Sequence, residues 1–238
     1  MAEGPSAQAE PMTALLTITS LPTALAEAWE TGIPLAPPPA DLLPANLDAA
    51  EEMAAELTEK LGLAVCGVRV TEAGLLGPLP PARIAQAGAT LPFGTFPLGR
   101  AAPALLCVLA EALEIDGQGP PMLSALHPAL DLSASRYQQG PVDDAAAVAD
   151  LLGLGHVVAG AAAPAALPAA AGLGGDALAP VELAPLLARA AEATRRAGGL
   201  PAGAVLVLVL DKRGTALEAP GEVSAQWEGL GAVSARLA

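Results

Sequence analysis

The sequence predicts an α+β fold in which a helical N-terminal part precedes a strand-rich core. Apolar residues recur at helical spacing within residues 13–62. After residue 62 the apolar runs become short and rich in valine and leucine, as in buried strands. The 238 residues can bury one large core. We therefore divide the chain into a disordered tail (1–12), a helical part (13–62) and a core domain (63–238).

The helical part is predicted to contain two helices joined by a proline-rich link. Residues 23–29 form a short first helix, and residues 31–39 form the rigid, extended link. Asn46 begins the second helix as its N-cap, and Gly62 ends it in the left-handed conformation. One face of that helix is apolar: Leu47, Ala50, Met53, Ala54, Leu57 and Leu61.

The first half of the core is predicted to contain two strands separated by loops. Residues 63–70 form one strand, and residues 105–109 form a second that is buried on both faces. Glycine and proline make residues 77–81 and 92–99 turn-rich loops.

The second half of the core is predicted to mix strands with one further helix. Residues 151–175 form an alanine-rich connector with one strand at 156–160. Pro180 opens a helix, and the pair Gly198 and Gly199 ends it. The remaining strands are expected at residues 204–210, 221–227 and 231–237, the last two as a hairpin.

Composition argues against two classes of partner. The formal net charge is -14, and both nucleic acids and anionic membranes are bound through basic patches. Only 2% of the residues are aromatic, so base stacking is nearly unavailable. Residues 151–175 carry no Asp, Glu, Lys or Arg, but prolines and glycines interrupt them and alanine is weakly apolar. We therefore expect no nucleic-acid partner and no membrane partner.

The cysteines and the first residues favour a cytoplasmic protein. Cys66 and Cys107 lie in apolar surroundings without a Cys-x-x-Cys partner, which is typical of buried thiols in a reducing compartment. Residues 1–12 lack the basic and apolar regions of a signal peptide. The expected location is the cytoplasm.

The segment 125–137 holds the most informative carboxylate of the chain. Asp131 lies between Leu130 and Leu132 in an alternating apolar run, and a buried carboxylate is costly unless something pairs with it. A metal, a substrate or an arginine could be that partner. The hydroxyl-rich turn that follows offers three candidate substrate-binding residues: Ser133, Ser135 and Arg136.

Several motifs follow one another in an order that resembles a known family. They are the strand at 63–70, the loops Gly77-Pro-Leu and Gly88-Ala-Thr-Leu-Pro, the segment 127–136, Asp150 with Val158 and Gly160, and the closing stretch 219–231. Together they resemble the 2-keto-4-pentenoate hydratase branch of the fumarylacetoacetate hydrolase superfamily, which also holds the 4-oxalocrotonate decarboxylases. The resemblance covers residues 20–238.

That resemblance implies a mixed β-roll of the fumarylacetoacetate hydrolase C-terminal type, with a helical N-terminal part. It also implies a divalent ion, typically magnesium, held by a Glu-x-Glu pair and a third carboxylate. The ion would grip the keto and carboxylate oxygens of a 2-oxo acid, so that the carbonyl enolises and water adds or carbon dioxide leaves. A strand lysine would assist proton transfer.

This chain departs from that pattern at the metal site. Alignment on the family's metal strand places Ala102 and Ala104 at the Glu-x-Glu positions. The third ligand remains only as the shorter Asp131, and Arg69 replaces the strand lysine. One carboxylate cannot hold magnesium, which needs several oxygen ligands. We therefore expect no metal and no other cofactor.

Our hypothesis is that an ion pair between Arg69 and Asp131, with Arg136 as a third member, occupies the space of the missing metal. An arginine can bind one carboxylate in a bidentate manner and stays charged at any working pH. In the alternative, Arg69 points to solvent and Asp131 only caps the turn from Ser133 to Arg136.

The candidate catalytic residues are Asp131, Arg69 and His127. Arg69 is a poor proton-transfer group but a good anchor for a substrate carboxylate. His127 can act as a base only if Asp131 orients it. The alternative is a structural role, because His127 and Asp131 lie four residues apart along a strand.

Two classes of function remain open. The first is a hydratase- or decarboxylase-like lyase that acts on a 2-oxo acid or related carbonyl compound without the family's metal. The second is a catalytically inactive relative that binds a ligand or a partner subunit. The expected partners are a small carbonyl acid and either a second copy of the chain or a related subunit.

Overall fold

The structure of the chain is a computed structural model that describes residues 20–163, 171–173, 176–177 and 182–238. The predicted tail at 1–12, the first residues of the predicted helical part and Pro180 lie outside the described residues. No helix in the described part of the chain is long and apolar enough to cross a membrane.

The described helices agree with the predictions except for one short helix. They are α1 (Leu21–Thr31), α2 (Leu47–Lys60), α3 (Asp144–Ala149) and α4 (Leu183–Arg196). Asn46 caps α2 as predicted, because its side chain accepts from the Ala49 N–H at 2.9 Å. The sequence analysis missed α3, since six residues are too few to show a helical period.

The described strands form two sheets. They are β1 (Gly67–Thr71), β2 (Leu76–Leu79), β3 (Ile84–Gln86), β4 (Thr90–Leu91), β5 (Arg100–Leu109), β6 (Leu123–Ser133), β7 (His156–Ala159), β8 (Ala171–Leu173), β9 (Asp176–Ala177), β10 (Val205–Val209), β11 (Thr215–Ala216), β12 (Gly221–Trp227) and β13 (Gly231–Leu237). The larger sheet is mixed, with the order β2-β1-β10-β5-β6-β7-β3 and β11 beside β5. The smaller sheet has the order β4-β13-β12-β8-β9. The predicted α+β class with a mixed, curled sheet is therefore confirmed.

The prediction of a loop at residues 77–81 is wrong for the first part of that range. Its first residues belong to β2, which pairs antiparallel with β1 so that Pro78 lies opposite Val68. Proline has no N–H to donate, but β2 is an edge strand and needs to pair on one side only. The strand expected at 105–109 is also longer, because β5 begins at Arg100.

Apolar clusters cover both faces of the larger sheet. The helix α4 packs on one face, where Leu187 and Ala191 join Leu206 and Leu208 of β10. The hairpin β12–β13 packs against β6 and β7. Aliphatic side chains fill the opposite face of the curled sheet: Leu79, Ala102, Ala104, Leu106, Ala129, Val157, Val207 and Val209. The helices α1 and α2 pack on α3 to form a separate helical layer.

Gly155 allows β7 to lie directly beside β6. A Cβ atom at this position would lie 2.1 Å from the Leu132 carbonyl oxygen, closer than atoms can approach. The neighbouring atom belongs to the backbone and cannot rotate away. Glycine is therefore required at the point where β7 begins.

We predict that Gly155→Ala destabilises the fold by about 1–3 kcal/mol, the usual cost of overpacking. Chemical denaturation measures the effect. Gly94→Ala is the matched control, because nothing lies within 4 Å of its added Cβ. Equal stability of the two variants would contradict the close approach of β7 to β6.

Candidate functional site

Arg69 and Asp131 form a buried, bidentate ion pair. Arg69 Nε donates to Asp131 Oδ1, and Arg69 Nη2 donates to Asp131 Oδ2, both at 2.8 Å. Each residue is 3% exposed. The predicted ion pair is therefore present, and the alternative in which Arg69 points to solvent is wrong. Two parallel charge-assisted hydrogen bonds give the pair a fixed geometry.

The pair joins strands that are not neighbours in the sheet. Arg69 lies on β1, Asp131 lies on β6, and the strands β10 and β5 separate them. Ala102 of β5 lies directly opposite Asp131 in the register of the two strands. The small side chain of Ala102 leaves room for the guanidinium, and the curl of the sheet shortens the path from β1 to β6.

Backbone carbonyls hold the other end of the guanidinium. Arg69 Nη1 lies 3.4 Å from the Leu151 oxygen and 3.3 Å from the Leu152 oxygen. Both leucines are left-handed, with φ of 54° and 52°. This conformation is strained for a residue with a Cβ and costs on the order of 1 kcal/mol or more at each position. The strained turn after α3 therefore provides acceptors for a buried cation.

A cleft of about 410 Å³ opens beside the ion pair. Its wall includes Arg69, Arg100, Ala102, Asp131, Ser133, Ser135, Asp144, Asp150, Leu152 and Asp211. The predicted residues Ser133 and Ser135 both line it and are half-buried. Arg100 is exposed, and its Nη2 donates to the Gly214 oxygen at 2.7 Å. The cleft thus presents hydroxyls, carboxylates and an arginine next to the pair.

Arg136 is not part of the Arg69–Asp131 pair, which corrects our hypothesis. Its Nε lies 3.9 Å from Asp150 Oδ1, and its guanidinium also donates to the carbonyl oxygens of Ala134 and Leu154. The guanidinium packs over the Trp29 ring, 4.0 Å from the centroid. Arg136 does not line the cleft beside the pair. It therefore holds the turn after β6 against the helical layer.

Asp150 is a second buried carboxylate, which the sequence analysis treated only as a family landmark. It is 2% exposed and lies on the cleft wall. Its Oδ2 accepts from the Arg136 N–H at 2.9 Å and from Ser135 Oγ at 3.5 Å. Burial raises the pKa of its carboxyl to about 7, although Arg136 and Ser135 oppose the rise. A buried acid that titrates near neutrality in a cleft is typical of functional sites.

The histidines lie apart from the two buried carboxylates. His127 Nδ1 donates to the Gly160 carbonyl at 2.9 Å, and His127 does not line the cleft. No hydrogen bond joins it to Asp131 in the described part of the chain, and Arg69 binds both oxygens of that carboxylate. His156 lies 3.3 Å from Arg83, and burial followed by the charge of Arg83 lowers the pKa of its ring. The structure thus favours a structural role for His127.

The described residues do not fit the magnesium site that the resemblance implies. Ala104, like Ala102, offers only a buried methyl group, and both oxygens of Asp131 are bound to Arg69. Within residues 20–163, 171–173, 176–177 and 182–238, no group of three or more His, Cys, Asp or Glu side chains could hold a metal ion. Magnesium needs several oxygen ligands.

Comparison with solved structures identifies the fold. The chain is similar to 4-oxalocrotonate decarboxylase from Pseudomonas putida G7 complexed with magnesium and adipate, at 18% identity, a TM-score of 0.74 and coverage of 91% of this chain and 97% of that one. The same enzyme complexed with calcium and acetate gives 19% identity, a TM-score of 0.72 and the same coverage. A yeast protein of the fumarylacetoacetate hydrolase family gives 10% identity and a TM-score of 0.50, over 71% of this chain and 91% of that one.

Sequence comparisons add nothing to this result. No protein-family profile matches the chain, and no curated protein matches it. The structural similarity shows a fold like that of these proteins, which agrees with the fold that the resemblance in the sequence implies. It extends over the helical N-terminal part as well as the core.

We predict that Arg69→Met and Asp131→Leu each destabilise the protein by about 3–5 kcal/mol, because either change leaves an unpaired buried charge. The double variant is expected to recover most of that loss, since two apolar side chains leave no charge behind. Urea denaturation of the wild type, both single variants and the double variant measures the coupling. Additive losses in the double variant would contradict a buried pair.

The stability of the folded chain is expected to depend on pH through Asp150. The folded-state pKa of Asp150 is about 7, against an ordinary value of 3.8, so the folded chain binds more protons between these values. Its contribution to stability is therefore complete below about pH 4 and is lost as the pH rises to about 7. Relative to Asp150→Asn, the wild type should lose on the order of 4 kcal/mol over this range.

Thermal denaturation of both proteins across this pH range measures the difference. Asp116→Asn is the control, because Asp116 is an exposed acid. A constant difference in stability between the wild type and Asp150→Asn would show that Asp150 does not titrate near neutrality.

Proposed function

We propose that this chain binds a small 2-oxo acid or related carbonyl compound in the cleft beside the Arg69–Asp131 pair, and that it does so without a divalent metal. The bidentate geometry of that pair carries the proposal. Both oxygens of Asp131 are used by Arg69 at 2.8 Å, so neither is free to bind an ion.

Charge balance supports the replacement of a metal by an arginine. The site implied by the resemblance has three carboxylates, a dication and a lysine, whose charges sum to zero. Arg69 and Asp131 alone also sum to zero. Because alanines stand at the other two ligand positions and Arg69 binds both oxygens of Asp131, a dication at this point would have no carboxylate ligand from the implied set.

Arg100 is a better anchor for a ligand carboxylate than Arg69. The charge of Arg69 is neutralised by Asp131, and its Nη1 lies against backbone carbonyls. Arg100 lies at the start of β5, lines the same cleft and is exposed. It lies opposite Ser133 in the strand register, so a carboxylate bound there would have a hydroxyl within the same cleft.

The proposed site is poorly suited to the lyase chemistry of the family. Hydration or decarboxylation through an enolate needs strong stabilisation of the developing negative charge, which a metal or preorganised donors supply. The cleft wall has more carboxylates than arginines: Asp131, Asp144, Asp150 and Asp211 against Arg69 and Arg100. Any lyase activity is therefore expected to be weak.

The second candidate function is a catalytically inactive subunit that binds a protein partner. Exposed apolar side chains near the cleft favour it. Leu98 lines the cleft and is 55% exposed, and Val142, which follows the cleft residue Pro141, is 69% exposed. Exposed apolar side chains mark an interaction site where they form one contiguous patch.

Thermal shift measurements separate these functions. We predict no rise in melting temperature with millimolar magnesium or manganese, and a rise with pyruvate or oxalate, because only a ligand that binds the native state stabilises it. Arg100→Gln should reduce the rise with pyruvate. Arg196→Gln, which removes an exposed arginine from α4, should not.

Each outcome decides between the proposals. A rise with a metal ion alone would contradict the metal-free site. A rise with an oxo acid supports ligand binding. No response to either probe would leave the partner-subunit function as the one that the structure favours.

A further inference from the structure

We propose that Ser135 binds an oxygen atom of the ligand, with Asp150 as a positioning residue whose protonation turns the Ser135 hydroxyl towards the cleft. The inference rests on the proposed function and deepens it, since it states how the cleft recognises a carbonyl or carboxylate oxygen. It also couples ligand binding to the uptake of one proton.

Ser135 connects Asp150 to the cleft. Its Oγ lies 3.5 Å from Asp150 Oδ2 and accepts the backbone N–H of Tyr137 at 3.1 Å. Both Ser135 and Asp150 line the cleft, but Ser135 is half-buried whereas Asp150 is 2% exposed. A ligand therefore meets the hydroxyl more readily than the carboxyl group behind it.

The described residues satisfy only part of the hydrogen-bonding capacity of the buried Asp150 carboxylate. Its Oδ1 has no hydrogen-bond partner in the described part of the chain, although Arg136 Nε lies 3.9 Å away. A charged and buried oxygen without a hydrogen bond is costly. The environment thus favours the protonated form more than an exposed site would.

The direction of the Ser135 hydroxyl hydrogen depends on whether Asp150 is charged or protonated. When Asp150 is charged, the Ser135 hydrogen points to Oδ2, and the hydroxyl offers the ligand no donor. When Asp150 is protonated, Oδ2 no longer needs that hydrogen, which can turn to an oxygen of the ligand. Protonation also removes a negative charge from the cleft wall, which favours an anionic ligand.

Charged and titratable side chains from β1, β6, the turn after β6 and the start of α3 lie near Asp150 or line the same cleft. Arg136 and Tyr137 follow β6, Arg69 comes from β1, Asp131 comes from β6, and Asp143 and Asp144 belong to the start of α3. Burial lowers the pKa of Arg136 only to about 10 and raises that of Tyr137. Asp150, with its pKa of about 7, is thus the group expected to titrate near neutrality.

The direction of the pH effect follows from these states. Below about pH 7 Asp150 is protonated and the ligand binds with full affinity. Above that pH the affinity falls by up to about tenfold per pH unit, since binding then requires the uptake of a proton. Pyruvate stays ionised over the whole range, so its own titration does not contribute.

The test is the affinity of the full chain for pyruvate, measured by calorimetry between about pH 5.5 and about pH 8.5. The wild type should bind more weakly as the pH rises through 7. Asp150→Asn should remove this pH dependence, because an amide does not titrate. Ser135→Ala should bind weakly at every pH, because it removes the hydroxyl donor. Asp116→Asn, at an exposed acid, should keep the wild-type profile.

Two results would overturn the inference while leaving the proposed function standing: a wild-type affinity that does not change with pH, or an Asp150→Asn profile that still follows the wild type. If Asp150→Asn does not fold, the profile of Ser135→Ala decides, because wild-type affinity in that variant contradicts the role of the hydroxyl. Absence of pyruvate binding at every pH contradicts the proposed function and this inference together.

Discussion

The ion pair between Arg69 and Asp131 is the constraint on which the site depends. It joins β1 to β6 across two intervening strands, so the curl of the sheet and the pair require each other. A buried arginine without its carboxylate would be very costly, and the same is true of the carboxylate alone. The pair therefore fixes the charge of this part of the cleft wall. It also fixes the distance between β1 and β6, the strands that carry the two residues.

Neighbouring residues are adapted to this pair. Ala102 faces Asp131 with a methyl group, which leaves space for the guanidinium where a longer acidic side chain would compete for it. Leu151 and Leu152 adopt the strained left-handed conformation, and their carbonyl oxygens face Arg69 Nη1. Backbone strain persists only where the surrounding structure compensates for it. The alanine, the turn and the pair thus form one connected arrangement.

The sequence predicted the elements that have strong local signals. Asn46 and Gly62 marked the ends of α2, and the closing hairpin followed from alternation. It also predicted the partner of Asp131, because the resemblance places Arg69 at the position of the strand lysine and one arginine can bind one carboxylate in a bidentate manner. The sequence did not predict that Arg136 pairs with Asp150. Arg69 and Arg136 were both available as partners of a buried carboxylate, and only the path of the turn after β6 places Arg136 beside Asp150. The pKa of Asp150 depends on burial by residues distant in the sequence, which no local pattern records.

Diffraction from crystals grown with manganese tests the central claim most directly, because manganese scatters anomalously and prefers the same oxygen ligands as magnesium. The account predicts no anomalous density within coordination distance of Asp131, and clear density for Arg69 against both oxygens of that carboxylate. A manganese ion bound to Asp131, with Arg69 displaced from it, would contradict the claim that an arginine has taken the place of the metal.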